Sequence, residues 1–429
     1  MASLNEDVGE PYAPEVGRQR CNLLHTFAPM ASAVDEERLE TPDVALTLTA
    51  HRLANIQKGY RKDRTRRGVS LTLGLATFIS VVLLFFDWCS WRIVRLPLNS
   101  FYLSFPFAVS TFVSATIGCF FVPIVDGLKI HHIIMREGSM HSSRRAVPTI
   151  GGLFFIPVGI TIVKAVVGHR SGYVNAAGAA TLCVAAIGLA NDIFKFAKNP
   201  KHRLHGWIKL LLHVAVGVCF SLWLDSTNLP TPYSMKLLVP LPPPFGLVQL
   251  GKCYFVLTVF CFVAMPNGIK LTDKADGLVG GVSALAFVGM SIAVLPICPE
   301  LAVFGASMAG ASVGFVFHNR YKSSILMGDV GSLGLGGALS AMAACTGMFF
   351  PLFISAGVFT LESLMVAVQV AVLKATIRRK GTARFISRLP PLRQLLRSYG
   401  LKVPVIVASA YVVSGILAIF AGYVGLVSA

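Results

Sequence analysis

The chain has 429 residues, of which 54% are hydrophobic and only 14% charged, and its mean hydropathy is +0.68. Because soluble proteins carry about 25% charged residues, this composition excludes an ordinary soluble domain and indicates an integral membrane protein. The formal net charge of +18 is typical either of nucleic-acid binding or of the basic loops of a membrane protein. The apolar composition favours the second explanation, so no nucleic-acid partner is predicted.

The N-terminal segment differs from the rest of the chain in composition. Ten of the 20 acidic residues lie within the first 69 positions, and no long apolar run occurs there. Such a segment cannot bury enough apolar surface to offset the entropy lost on ordering. We predict a disordered polar and basic extension over residues 1–68 and a transmembrane domain over residues 69–429.

The remainder of the chain contains eleven apolar runs separated by polar loops. A helix needs roughly 20 apolar residues to cross a bilayer core of about 30 Å, so these runs predict an all-α, polytopic transmembrane fold. The boundary at Pro351 divides an almost continuous apolar stretch, and for that reason ten or eleven spans are expected. The runs are Val69–Phe86, Leu103–Val125, Val147–Gly168, Tyr173–Ala190, Leu210–Leu224, Phe245–Met265, Leu278–Cys298, Leu301–Phe317, Leu333–Phe350, Leu352–Leu373 and Val403–Val427.

Lysine and arginine are distributed unevenly between alternate loops. One set of loops contains 28 of them and the opposite set only four. Basic residues concentrate in loops on the cytoplasmic side of a membrane, or on the stromal side in a plastid. The pattern therefore predicts an inner N-terminus and an outer C-terminus, with Asp192, Asp273 and Asp329 all on inner loops.

Two of these inner loops contain closely spaced charges. Asp273 and Asp276 are three residues apart and would share one face if they open a helix, where they could serve a metal or a nucleobase. Capping of the helix that follows is the structural alternative. Asp192 and Lys195 end an apolar run with the same spacing, and a simple ion pair within one helix is the alternative there.

The third loop is rich in glycine around a single carboxylate. Gly328 and Gly331 flank Asp329 and permit close approach of the backbone. Ser332 is predicted to cap a helix from Leu333, whose free N–H groups would attract phosphate. Because a carboxylate beside phosphate needs a cation, and Mg²⁺ binds carboxylates together with substrate phosphates, we expect nucleotide binding to depend on Mg²⁺ and on Asp329.

Four sequence blocks in the inner loops resemble, in the same order, those of the phospho-N-acetylmuramoyl-pentapeptide-transferase (translocase I) family. The resemblance extends over residues 103–429, and the N-terminal extension makes the chain most similar to the chloroplast-type homologues of land plants. The blocks are His141 to Pro148-Thr-Ile-Gly-Gly, Asn191-Asp192-Ile-Phe-Lys195, Asn267 to Leu-Thr-Asp273 and Asp276-Gly-Leu, and Asn319 to Met-Gly-Asp329-Val-Gly-Ser-Leu.

This resemblance implies a polyprenyl-phosphate hexose-1-phosphate transferase fold of ten helices, with its site in a cleft on the inner face. It implies Mg²⁺-dependent transfer of phospho-MurNAc-pentapeptide from a UDP donor to a polyprenyl phosphate, with release of UMP. A plastid membrane with the active face towards the stroma is also implied, and a homodimer is left open. The implied catalytic and metal-binding residues are Asp192 and Asp329, and the implied substrate-binding residues are Asn267, Asp273, Asp276, Asn319 and Lys195.

The chain departs from the family pattern at three places. Asn191 stands where the family has the first acid of an Asp-Asp pair, and Lys270 and Lys274 add positive charge to the block that reads Asn-Leu-Thr-Asp-Gly-Leu-Asp in the family. The histidine cluster of the last inner loop is replaced by Leu-Arg393-Gln-Leu. Because a general base typically contributes about 10²–10⁴-fold to a rate, these changes predict slow or absent turnover.

Two alternatives to an active transferase therefore stay open. The first is a catalytically degenerate paralogue that binds nucleotide sugar or partner proteins without chemistry, and the altered positions favour it. The second is a secondary transporter, which would share the composition and the many spans. Transporters place their polar sites near the bilayer midplane, whereas the unusual residues here cluster on one face, so a transporter is the less favoured of the two.

Overall fold

A computed structural model describes residues 68–94, 101–127, 132–133, 146–168, 171–196, 206–227, 238–240, 247–249, 251–273, 275–320, 323–380 and 403–428. The predicted disordered extension lies outside the described residues except for Gly68. The loop that contains Arg393 lies outside them as well, and so do Lys274 and the side chain of Lys195.

Helices account for nearly all of the described chain. The exceptions with regular structure are two short antiparallel ladders, β1 (His132–Ile133) with β2 (Ala146–Val147) and β3 (Leu238–Pro240) with β4 (Leu247–Gln249). The helices in chain order are α1 (Gly68–Arg92), α2 (Ser104–Gly127), α3 (Gly152–Val167), α4 (Gly172–Phe196), α5 (Gly206–Ser226), α6 (Cys253–Thr272), α7 (Leu278–Val294), α8 (Pro299–Asn319), α9 (Gly328–Thr346), α10 (Phe349–Ser355), α11 (Gly357–Lys380) and α12 (Val403–Ser428).

Every predicted apolar run overlaps at least one of these helices, and the predicted all-α membrane fold is confirmed. Some of the bounds differ: Phe245–Met265 includes β4 before α6 begins, and Leu352–Leu373 extends across α10 and α11. The number of spans is not. Seven of the described helices are long and apolar enough to cross a membrane, or eight if α10 and α11 form one bent span. The shorter apolar helices α3 and α7, of 16 and 17 residues, are not among them.

The predicted break at Pro351 lies a few residues from the breaks in the structure. The helix α9 ends at Thr346 because Gly347 follows it with a positive φ of 75°, a usual way to terminate a helix. Pro351 lies inside α10, in the first turn, where its missing N–H has no helical partner to lose. The sharper bend, 83°, separates α10 from α11.

The helices α7, α8 and α9 form the centre of the bundle. Almost all their residues are buried, whereas α1 and α2 bury only 22% of their most apolar segment. Small residues allow close packing of the central helices: a Cβ at Gly310 would lie 2.3 Å from the carbonyl oxygen of Phe107 on α2. The hydroxyl of Ser110 donates to the carbonyl of Ser307 at 2.7 Å across the same interface. Small residues and interhelical hydrogen bonds of this kind associate helices within membranes.

The antiparallel helices give the bundle two ends with different polar residues. The Asp329 end, as we call it, contains the C-terminal ends of α4, α6 and α8 and the N-terminal ends of α7 and α9, joined by the contacts of Asp329 and Asn319. The Glu300 end contains the junction of α1 with α2, and the start of α4 beside the start of α8, where Ser171 donates to Glu300.

Candidate active site

The loop before α9 is held by the conspicuous Pro-Thr-Ile-Gly-Gly block. The carbonyl of Pro148 accepts the N–H of Leu326 at 2.8 Å, and the N–H groups of Gly151 and Gly152 donate to the carbonyls of Leu326 and Met327 at 2.9 Å. This ladder fixes the position at which α9 begins.

Gly328 is required at that position for two reasons. Its φ of +73° lies in the left-handed region, which side chains disfavour, and a Cβ there would lie 1.8 Å from the carbonyl oxygen of Thr149. The same Cβ would lie 2.9 Å from a carboxylate oxygen of Asp192. The glycine therefore lets three segments meet around the first turn of α9.

Asp192 caps the helix α9 from a neighbouring helix. Its Oδ2 accepts the N–H groups of Asp329 at 2.8 Å and Val330 at 3.3 Å, two of the free donors at the helix start. The predicted cap, Ser332, was wrong: α9 begins five residues earlier than expected, and the Ser332 hydroxyl donates to the carbonyl of Gly328 inside the helix. The N–H groups that we expected to attract phosphate are therefore partly occupied by a carboxylate.

Asp329 lies in the first turn of α9, where the helix dipole favours a negative charge. Its Oδ2 accepts a hydrogen bond from the Lys270 ammonium at 2.6 Å and another from the amide nitrogen of Asn191. The Asp329 side chain is only 9% exposed and that of Lys270 31% exposed. The amide oxygen of Asn191 is buried and has no hydrogen-bond partner in the described part of the chain. Side chains from α4, α6 and α9 thus converge on one carboxylate.

A second cluster fixes the turn between α6 and α7. The buried Asn319 at the end of α8 accepts the N–H of Gly277 at 2.8 Å, and Tyr411 on α12 donates to the carbonyl of Gly277 at 2.5 Å. Asp276 accepts the hydroxyl of Ser323 at 3.2 Å. Gly277, which has no side chain, occupies the N-cap position of α7, so neither Asp273 nor Asp276 is its N-cap residue.

The remaining predicted site residues are less closely tied to the Asp329 cluster. Asp273 ends α6 and is half-buried. Asn267 lies on α6 and donates to the carbonyl of Val263 within its own helix at 2.7 Å. The backbone of Lys195 belongs to α4, but its side chain lies outside the described atoms. The structure therefore brings Asp192 and Asp329 together directly, whereas the hydrogen bonds described for Asn267, Asp276 and Asn319 join other groups.

Sequence reasoning missed two features of this region. The departure at Lys270 was apparent, but its ion pair with Asp329 was not, because the two residues are 59 positions apart. The second feature is His213 on α5, which lies within the apolar run Leu210–Leu224, where a histidine is expected to be a satisfied core residue. It is buried as expected, but neither ring nitrogen has a hydrogen-bond partner among the described residues. The only sign of this unpaired side chain in the sequence was the presence of a histidine within an apolar run.

Comparison with known proteins identifies the class to which this arrangement belongs. Residues 174–347, from α4 to the end of α9, match the glycosyl transferase family 4 domain. Together with the apolar helices, the match identifies an integral membrane protein of the glycosyl transferase class.

Individual relatives identify the family. The phospho-N-acetylmuramoyl-pentapeptide-transferase of Trichormus variabilis is 35% identical over 353 residues, which is 82% of this chain and 94% of that protein. The protein of the same name from Synechocystis sp. is 37% identical over 320 residues, 72% of this chain and 83% of its own length. The chain therefore belongs to the phospho-N-acetylmuramoyl-pentapeptide-transferase family.

Enzymes of this family generally use Mg²⁺, and the described residues do not fit that ion at Asp329. The carboxylate oxygen Oδ2 is bound by an ammonium and by an amide N–H, and Asp192 uses Oδ2 to cap α9. Mg²⁺ requires oxygen ligands in near-octahedral geometry. Within the described ranges, no group of three histidine, cysteine or acidic side chains is arranged to hold a metal. The metal-binding role of Asp192 and Asp329 stays a prediction.

Proposed function

We propose that the protein is a phosphoglycosyl transferase, which moves phospho-MurNAc-pentapeptide from a UDP donor to a polyprenyl phosphate. In this reaction a lipid phosphate oxygen bonds to the sugar-bearing phosphorus of the donor. The bond between that phosphorus and the bridging oxygen breaks, and UMP leaves with the oxygen. The observation that carries the proposal is the 35% identity to a transferase of that name over 82% of the chain, which includes all three charged inner loops.

We propose further that the donor binds at the Asp329 end of the bundle. The convergence of the charged Lys270 and Asp329 side chains from two helices supports this location, because charges within a membrane bundle normally mark a functional site. The residues proposed to line it are Asp192 and Asp329 as catalytic residues, and Asn267, Asp273, Asp276, Asn319 and Lys195 as substrate-binding residues.

The cellular setting of this reaction is also a proposal. The basic loops support an Asp329 end that faces the cytoplasm or stroma, and the cyanobacterial relatives are compatible with a plastid membrane whose active face is stromal. The proposed partners are the UDP-linked sugar and the lipid phosphate, without nucleic acid.

Release of UMP tests the proposed function directly. The full-length protein in detergent would be supplied with UDP-MurNAc-pentapeptide and polyprenyl phosphate, and UMP would be measured by chromatography. We expect UMP release that requires the lipid phosphate and is lost in Asp192→Asn. If the wild type and the Asp192→Asn variant release UMP equally fast, the proposed site is contradicted. If the wild type releases no UMP in response to the lipid phosphate under any ionic condition, transferase activity is contradicted.

One observation favours a second candidate function, which is binding of the nucleotide sugar without turnover. The Asp329 oxygen is occupied by Lys270 and Asn191, and an amide at position 191 cannot take a proton from a lipid phosphate. Calorimetry with the UDP donor separates the two functions. Binding of the donor without any UMP release would support the degenerate paralogue.

A further inference from the structure

We infer that Lys270, assisted by Asn191, takes the place of a divalent cation at Asp329, so that this site binds no metal of its own. A second clause, which rests on the proposed function, is that the Lys270 ammonium binds the diphosphate of the donor directly. The first clause concerns only the protein, and its test needs no substrate.

The position of the ammonium supports the first clause. The Nζ atom of Lys270 lies 2.6 Å from Oδ2 of Asp329, so the two charged groups are in direct hydrogen-bond contact. A Mg²⁺ ion would bind a carboxylate oxygen at about 2.0–2.1 Å. An ammonium and a divalent cation on the same oxygen would repel each other, because both are positively charged and would lie within a few ångströms of each other. The ion pair and the metal are therefore mutually exclusive occupants of this oxygen.

The second neighbour of Asp329 is also a hydrogen-bond donor. Asn191 presents its amide nitrogen to Oδ2 of Asp329, and the amide is 1% exposed, so this contact is shielded from water. An asparagine at this position supplies at most one neutral oxygen to a metal, where the family pattern has a carboxylate. The Lys270 ammonium and the Asn191 amide are thus both hydrogen-bond donors, as expected around a carboxylate that binds no metal.

Charge arithmetic supports the same conclusion. Relative to the family pattern described above, Asn191 removes one negative charge and Lys270 adds one positive charge, so the two changes together add +2 to the site. This sum equals the charge of one Mg²⁺ ion. The residues Asn191 and Lys270 lie on different helices, yet both contact the same carboxylate oxygen. The two substitutions therefore both act at Oδ2 of Asp329, and together they supply the charge that one Mg²⁺ ion would bring.

The other predicted ligand, Asp192, is already engaged through one of its carboxylate oxygens. The Oδ2 atom of Asp192 accepts two backbone N–H groups at the start of α9. If a metal took this oxygen, the two buried N–H donors would lose their acceptor, which costs about 1–3 kcal/mol for each. Asp192 therefore caps α9 through Oδ2, and this oxygen is already engaged rather than available as a second ligand for a metal at Asp329.

The chemistry of an ammonium supports the second clause. Lysine has three N–H donors, and Asp329 is the partner assigned to Lys270 within the described residues. At 31% exposure its side chain is far more accessible than that of Asp329. Lysine is a common phosphate ligand in proteins because its charge is compact. A nucleoside diphosphate at the Asp329 end would therefore meet Lys270.

Binding of Mn²⁺ without nucleotide tests the first clause. Full-length protein in lipid nanodiscs would be titrated with Mn²⁺ and followed by electron paramagnetic resonance. We expect that the wild type shows no Mn²⁺ binding that depends on Asp329. The control variant Lys252→Asn, which removes a lysine at the opposite end of α6, should behave in the same way. The double variant Asn191→Asp with Lys270→Asn should bind Mn²⁺ about tenfold more tightly or better, and Asp329→Asn should abolish this gain.

Two results would overturn the first clause. One is stoichiometric Mn²⁺ binding by the wild type that Asp329→Asn removes. The other is a double variant that melts at the wild-type temperature and binds Mn²⁺ no more tightly than the wild type.

Calorimetry with the UDP donor tests the second clause. We expect equal wild-type affinity in Mg²⁺ and in excess EDTA, and a loss of about tenfold or more in Lys270→Met, as for a lost hydrogen bond to a charged group. Donor affinity that falls in EDTA, or that survives Lys270→Met, overturns the second clause. Absence of donor binding in both solutions contradicts the second clause and counts against the proposed function, while the Mn²⁺ titration still decides the first clause.

Discussion

The two ends of the bundle each contain a buried carboxylate, and the two carboxylates are satisfied in different ways. At the Glu300 end, Asp87 accepts the N–H of Leu103 at 3.0 Å, the N–H of Ser104 at 2.8 Å and the Ser104 hydroxyl at 2.6 Å. All these donors are neutral and belong to one helix start. At the other end, Asp329 accepts a charged donor from Lys270 on another helix.

The difference distinguishes a structural acid from a candidate functional one. Neutral donors at a helix start satisfy Asp87 in the manner of an ordinary cap. A lysine brought to a buried carboxylate loses hydration, and that loss offsets much of the attraction, so such a pair is weak support for stability. The Lys270–Asp329 pair is therefore better explained by a role in binding.

Labelling of single cysteines would test whether the two ends lie on opposite sides of the membrane. In a background without the nine native cysteines, we expect an impermeant reagent to label cysteine at positions 194 and 322 from the same side. Cysteine at position 225, at the far end of α5, should react from the opposite side only. Each position should therefore be labelled either fully or not at all from a given side of the membrane. Labelling of positions 194 and 322 from opposite sides would contradict the predicted topology.

The next largest effect is expected for two of the glycines with positive φ, one chosen from each end. Gly328 and Gly168 have φ values of +73° and +87°, but a Cβ meets the Thr149 carbonyl at the first and no atom within 4 Å at the second. Both alanine variants should carry a backbone strain of about 1 kcal/mol. The Gly328→Ala variant should lose about 2 kcal/mol more through overpacking, measured by unfolding in detergent. Equal losses of unfolding free energy in the two alanine variants would show that the close approach of Gly328 to the Thr149 carbonyl is unimportant.

The two buried carboxylates should respond differently to substitution. Asp87→Ala removes a cap and should lower the free energy of unfolding by about 1–2 kcal/mol, without changing the affinity for the UDP donor. Asp329→Asn should cost less than about 1 kcal/mol, because its partner Lys270 is partly exposed, but it should change donor binding. Unfolding and calorimetry on both variants check this. If Asp87→Ala lost donor affinity and Asp329→Asn did not, Asp87 would be the functional carboxylate and Asp329 the structural one.

The sequence predicted the helices better than it predicted the site. Each apolar run overlaps a helix because hydrophobic length is a local property of the chain. The start of α9 was placed too late, at Leu333, because its first turn is polar and is capped by Asp192 from 137 residues away. A cap from another helix leaves no trace in the local sequence.

The charged residues of the site were also found without their partners. Asp329 and Lys270 were both recognised as unusual, since few charges occur in or near the apolar runs. Their pairing depends on the contact of α6 with α9, which periodicity does not specify. Gly328 was identified as a point of close approach, and the segment that approaches it, Thr149, was found only in the structure.

The smallest effect is expected at His213, whose buried ring nitrogens lack partners in the described chain. A buried polar group without a hydrogen bond opposes folding, so His213→Leu should raise the free energy of unfolding by up to about 1 kcal/mol. Tyr411→Phe is a matched comparison, because it removes a buried donor that does have a partner, the Gly277 carbonyl, and should lower stability by about 1 kcal/mol. Unfolding measurements on both variants give opposite signs if the nitrogens are unpaired. A His213→Leu variant that is destabilised like Tyr411→Phe would mean that the histidine has a partner in the folded protein.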